Sequence, residues 1–191
     1  MSTLLLLLWI LGGSVAQDTP KPVRVVIETE AGEIEAEIDT VRAPITAANY
    51  LKYVDAGLFD GGRFFRTVRP DNQVDKPVKI AVIQAEGNRD RRREFFPAIP
   101  LERTSVTGLT HRDGTLSMAR STPDTARDSF SICVGDQPAL DFGGGRQPDG
   151  QGFAAFGRVL RGMDVVRRIQ MGPASGETLT PAVAITRVRR R

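Results

Sequence analysis

Gly61–Gln84 reads GGRFFRTVRPDNQVDKPVKIAVIQ, and Gly114–Phe130 reads GTLSMARSTPDTARDSF. Each begins or ends in a strand-like apolar run, and in the first the runs carry polar residues that a core strand does not favour. Arg66 stands between Phe65 and Val68, and Gln84 closes Ala81-Val82-Ile83. Such residues either satisfy a core or line a site, since arginine and glutamine are mostly exposed unless partnered.

Outward from this stretch the pattern stays β-rich. Val23, Val25 and Ile27 alternate with Arg24 and Glu28. After the turn-like Glu30-Ala31-Gly32, Ile34, Ala36 and Ile38 alternate with Glu33, Glu35 and Glu37. This predicts a hairpin with one face in the core and three glutamates on the wet face. Pro44 suits a first helical turn. Ala47, Tyr50, Leu51 and Val54 follow at helical spacing, with Gly57 placed to end the helix. Further strands are predicted at Phe64–Val68, Ile80–Gln84, Thr115–Ala119, Ser129–Val134, Phe153–Val159 and Pro181–Val188, with a second helix over Met163–Ile169. The fold class is therefore mainly β: a closed antiparallel barrel of eight strands capped by two α-helices. Arg69–Lys79, Gly87–Arg112 and Gly135–Gly152 are loops long enough to suggest function. Gly143-Gly144-Gly145 lacks the following Lys-Ser/Thr of a phosphate loop, so it reads as a mobile tip, and 143–152 as a solvated insertion.

The 191 residues suit one domain with a sizeable core. A net charge of +3 resides in clusters such as Arg91-Arg92-Arg93 and Arg189-Arg190-Arg191, without interleaved aromatics, and this disfavours a nucleic-acid partner. Leu4–Leu11 is an unbroken apolar run followed by Ser14-Val15-Ala16. It has the h-region and cleavage site of a secretory signal, although Met1-Ser2-Thr3 lacks the usual basic residue. It falls short of the roughly 20 residues of a membrane span. The expected organisation is a cleaved signal at 1–16, a tether at 17–22 and one domain over 23–191, exported to the periplasm or beyond. An uncleaved leader acting as a tether is the alternative. Cys133 is the lone cysteine and reads as a small buried hydrophobe. With His111 the lone histidine, neither a metal site nor a His-dependent triad is expected.

In order along the chain, the helix APITAANYLKYVDAGLFDG, FFRTV, AVIQAEG, GTLSMAR, SFSICVG, Leu140-Asp141 and AAFGRVLRGMDVVRRI resemble the cyclophilin-type peptidyl-prolyl cis-trans isomerases, in their bacterial exported form. The resemblance runs from about Val23 to Val188. It implies catalysis of Xaa-Pro rotation without metal or cofactor, on proline-containing unfolded or exposed polypeptide, by a monomer. It gives Arg66 the role of electrostatic catalyst, with Gln84 its partner. Phe65, Ala81, Val82, Met118, Ala119, Arg120, Ser129, Ser131, Leu140 and Phe153 fall at substrate-binding positions, the backbone at Arg120 binding the peptide next to proline.

Departures from the family pattern concentrate in the proline seat. Ala81 and Ser131 stand where aromatics are usual, and Phe65 and Phe153 where histidines are. Truncating two aromatics removes apolar surface worth a few kcal/mol each by the usual scale, which Phe65, Phe95, Phe96 or Phe153 could refill. A module that binds peptide with weakened turnover is therefore the rival reading. A third is a structural domain whose basic loop Arg89–Arg93 docks on an acidic partner or membrane surface.

Overall fold

The computed structural model describes residues 22–191, so the expected signal at 1–16 and most of the tether lie outside the described residues. The expected first hairpin pairs β1 (Val23–Thr29) with β2 (Gly32–Ile38), Thr29 opposite Gly32. Then come α1 (Pro44–Asp55), β3 (Arg63–Val68), β4 (Val82–Glu86), the one-turn α2 (Thr104–Thr107), β5 (Thr115–Met118) and β6 (Phe130–Cys133). The chain ends with β7 (Ala154–Arg161), α3 (Met163–Gln170), the two-residue β8 (Ala174–Ser175) and β9 (Thr178–Arg190).

The sheet runs β1-β2-β7-β5-β6-β4-β3-β9, and β9 pairs back onto β1, so eight antiparallel strands close a barrel and β8 is an appendage on β9. Closure leaves no free edge in the ring. The expected pair of capping helices is present as α1 and α3; α2 and two 3-10 turns, Arg89–Glu94 and Pro138–Leu140, punctuate the loops.

α1 forms because Pro44 pre-sets its first turn and the apolar stripe meets the barrel. Its free N-terminal amides at Ile45 and Thr46 donate to the carboxylate of Glu102, an anion at the positive end of the helix. At the other end Gly57 adopts φ +60, and its amide and that of Leu58 return to Val54 and Tyr53. Tyr50 plugs the barrel between Phe59, Phe130 and Phe156, each ring centroid 5.2 Å away. Its hydroxyl is buried without a hydrogen-bond partner among the described residues.

Two expectations about charge change. Glu35 is buried, not solvated, because Arg191 and Arg24 fold over it. Two arginines of the last cluster belong to β9: Arg189 pairs with Glu28 and Arg190 with Asp55, extending the last strand beyond the anticipated Val188. Those pairs lie where β9 closes the ring.

Candidate active site

The site begins with a miscount in a strand. Phe64 lies opposite Ala85 and Arg66 lies opposite Gln84, so Phe65 is an extra residue with no partner in β4 or β9. Without this bulge Arg66 would share the face of Phe64, which is fully buried in the core. One inserted residue reverses the alternation and re-aims the side chain. Arg66 therefore joins Gln84, Val82 and Val68 on the side away from the barrel core.

The guanidinium of Arg66 is then fixed from two directions. Its Nη1 donates to Gln84 Oε1 at 2.8 Å, while Nε, at 2.8 Å, and Nη2 donate to Glu177 Oε2. Gln84 is held in turn: its Nε2 donates to Ser129 Oγ at 2.9 Å, and that hydroxyl donates to the Ala85 carbonyl at 2.7 Å. Because the serine proton is committed to Ala85, only its lone pair faces Gln84, and this orients the amide oxygen toward Arg66. Among the described residues three of the five guanidinium N–H groups are occupied, leaving two for a ligand.

Arg66 and Gln84 border a cleft of about 540 Å³, a usual size for a small-ligand site, roughly 300–1,000 Å³. Val82, Met118, Ala119, Arg120, Ser131, Leu140 and Phe153, all expected from the sequence, line it with them. A satellite apolar cluster of Val68, Ile80, Val82, Cys133 and Leu140, with Phe153 and Ala139 against it, floors the cleft apart from the main core. Cys133 is buried there, and desolvation pushes its thiol pKa up, as suits an inert small hydrophobe.

Three expected residues are not in the lining. Phe65 is the bulge residue. Ser129 stands behind Gln84 and orients it. Ala81 is displaced because β4 starts at Val82: the amides of Ile80 and Ala81 donate to the side chains of Gln73 and Gln137 in place of a strand neighbour. Ile80 lines the cleft instead. Phe95 and Phe96 do not refill it either, since both rings pack on Tyr53, 5.5 and 5.1 Å away.

The far wall comes from the long loops. Lys76, Pro77 and Val78 enter from 69–81, and Gly145, Arg146 and Pro148 from 143–152. The second segment keeps an exposed tip, as expected, but packs closely at Gly144 and Gly152. A Cβ on Gly144 would stand 2.2 Å from the Pro138 carbonyl, and one on Gly152 (φ +66) 2.6 Å from the Asp141 carbonyl carbon. Arg120, its side chain fully buried, donates to the Gly152 carbonyl and grips Asp149 through both Nη atoms at 2.7 and 2.9 Å. That bidentate bond holds the Asp149 carboxyl down at about 2. Phe153 lies under the same guanidinium, 5.1 Å from ring centroid to Cζ.

The connectivity of a His-dependent triad, not anticipated in the sequence, is also present. His111 Nδ1 lies 2.7 Å from Asp141 Oδ1, and its Nε2 lies 2.8 Å from Ser117 Oγ. Ser117 borders the cleft but is only 2 % exposed, inside a strand paired on both sides. With its backbone committed to that ladder, no oxyanion-binding pair of amides is offered at the serine, so the trio ties β5 to the turn carrying Leu140. Glu177 and Arg146 were not singled out in the sequence either; both come from loops distant in sequence from Arg66.

Residues 24–190 match the family model described as cyclophilin type peptidyl-prolyl cis-trans isomerase/CLD. A peptidyl-prolyl cis-trans isomerase of Acinetobacter baylyi is 36 % identical over 152 residues, covering 79 % of this chain and 73 % of the relative. Peptidyl-prolyl cis-trans isomerase A of Dickeya dadantii is 33 % identical, covering 76 % and 70 %. Among solved structures, a cyclophilin type isomerase of Cryptosporidium parvum determined in the presence of the dipeptide Ala-Pro superposes with a TM-score of 0.70 at 18 % identity. That match covers 88 % of this chain and 98 % of the other.

Proposed function

The chain belongs to the cyclophilin-type peptidyl-prolyl cis-trans isomerases and is an isomerase of Xaa-Pro bonds; on that premise we propose that Arg66 is its electrostatic catalyst and that it serves exported polypeptides. The amide crosses a barrier of about 18–20 kcal/mol because its nitrogen lone pair is delocalised into the carbonyl. Twisting the bond returns that pair to the prolyl nitrogen. A donor aimed at the nitrogen therefore gains strength at the twisted state and little in either planar state. No bond is made or broken and no proton changes owner.

The observation that carries this reading is the guanidinium of Arg66, fixed by Gln84 and Glu177 at the cleft with two N–H groups to spare. Pre-orientation matters because nothing then has to reorganise as the bond twists. The apolar floor of Val82, Met118, Leu140 and Phe153 receives the prolyl ring, and the polypeptide strand lies along Ala119 and Arg120. Exchange NMR on an Ala-Pro peptide, with Arg66→Ala beside the wild type, tests the assignment. Turnover unchanged in the variant would sink it.

The export reading rests on Leu4–Leu11 and Ser14-Val15-Ala16. A mature N-terminus at Gln17 in a periplasmic or secreted fraction supports it; a full-length cytosolic product overturns it. Uncatalysed prolyl isomerisation takes tens to hundreds of seconds, so newly translocated chains are a fitting substrate.

A further inference from the structure

The cations around the cleft are not equivalent. Glu177 neutralises Arg66 and Asp149 neutralises Arg120. Arg146 is held by neutral groups: its Nη1 donates to Gln73 Oε1 at 2.7 Å and to the Val78 carbonyl at 2.6 Å. Gln73 is 2 % exposed, and its amide is saturated by Arg69, Ile80 and Arg146. Both Nη1 protons are thereby used, and among the described residues the Nε and Nη2 donors of Arg146 have no partner, which leaves them for something else.

A half-buried guanidinium with neutral partners keeps its full charge in a place that water screens poorly. Burial acts to lower its pKa and Arg66 adds to this, whereas Glu177 opposes it, yet Glu177 is already committed to Arg66. The remaining charged groups at the rim, Asp75 and Lys76, are adjacent, exposed and opposite in sign, so they largely cancel. The net unmet demand of the cleft is for an anion, at the wall facing the catalytic strands.

We propose that the cleft selects Xaa-Pro segments carrying a carboxylate side chain within two residues of the proline, with Arg146 the residue that recognises it. The proposal rests on the reading of this cleft as the isomerase site. The carboxylate of a substrate Asp or Glu would accept from Nε and Nη2 together, the two-pronged geometry that guanidinium matches best. Because the contact is made to a side chain outside the rotating amide, it holds the planar and twisted states alike and shows in KM.

The test compares proline peptides carrying Glu, Gln or Lys first on one side of the proline and then on the other, by exchange NMR with wild type and Arg146→Gln. On at least one side the wild type should favour Glu over Gln by about tenfold in KM, the factor that 1.4 kcal/mol makes. The ratio should collapse toward one in Arg146→Gln. A wild-type ratio near one on both sides, or a preference that survives in the variant, overturns the proposal. If the variant fails to fold, the side-chain Nε–H resonance of Arg146 in the wild type decides: it should shift with the Glu peptide and not with the Gln peptide, and equal shifts refute the selection. No acceleration on any peptide would instead refute the isomerase reading, a separately visible failure.

Discussion

The two walls of the cleft are built on opposite plans. On the strand wall, Arg66 is placed by a β-bulge, oriented through Gln84 and Ser129, and neutralised by Glu177. On the loop wall, Arg146 is placed by segments without regular structure and held by Gln73 and a carbonyl that cancel none of its charge. The barrel secures a donor whose position must not vary, because a transition-state contact is sensitive to small displacements. The loops hold a charge whose partner is the ligand. The difference teaches that chemistry and selection can be assigned here by asking which cation already has its counter-ion.

The largest effect expected on this comparison is from Arg66→Ala, a loss of about 100-fold in kcat/KM, as for removal of one pre-organised donor at a developing charge. Exchange NMR measures it; a loss below threefold would make the strand wall a scaffold only. Next comes Glu177→Gln, which leaves the guanidinium without its counter-ion. We expect kcat to fall roughly tenfold, or about 1.4 kcal/mol, with KM unchanged, and Glu177→Asp to recover part of it. A change in KM alone would move Glu177 to the binding side.

On the loop wall, Asp149→Asn removes the clamp on Arg120. KM should rise about three- to fivefold with kcat held, since an imperfectly ordered wall costs binding before it costs chemistry. The same clamp has an acid limit. Asp149 is lowered from 3.8 to about 2 chiefly by its hydrogen bonds from Arg120. A depressed carboxyl contributes its stabilisation in full above the unfolded value and loses it as pH falls through the folded one. Amide protection in 143–152, measured against the intrinsic exchange rate at each pH, should therefore hold at pH 5 and fall toward pH 2, ahead of protection in β5 and β6. Simultaneous loss in the loop and both strands would show the clamp is not a separate unit.

The smallest effect is reserved for the barrel under the strand wall. Tyr50→Phe deletes a buried hydroxyl that has no partner among the described residues, and it should stabilise the fold by about 1 kcal/mol. Activity should not change, since the ring that packs on Phe130 remains. Denaturant titration reads the gain, and destabilisation would point to an unseen partner for the hydroxyl.

Much of this was legible in the residues. The alternation of Val23–Ile38, the helical stripe after Pro44 and Gly57 at its end are local signals, and the structure follows them within a residue or two. Arg66 and Gln84 were conspicuous because each is polar in an apolar run, and they do meet. Ala81 was misplaced because side-chain amides from Gln73 and Gln137 take the backbone of Ile80 and Ala81, delaying the strand. His111, the lone histidine and so given no site role, meets Asp141 from 30 positions away. Nothing in the spacing marked Glu177, which lies 111 positions from the arginine it holds.

The sequence by itself determined which segments are strands and helices, that they form a β-rich barrel, and which polar residues required explanation. It could do so because periodicity and turn chemistry act over a few residues. Only the tertiary structure decided that the bulge at Phe65 turns Arg66 out of the core, that 143–152 is a wall, and which arginine lining the cleft has no counter-ion among the described residues. Those outcomes depend on burial and on pairing between distant segments, and the free energy of a charge is set by what surrounds it in space.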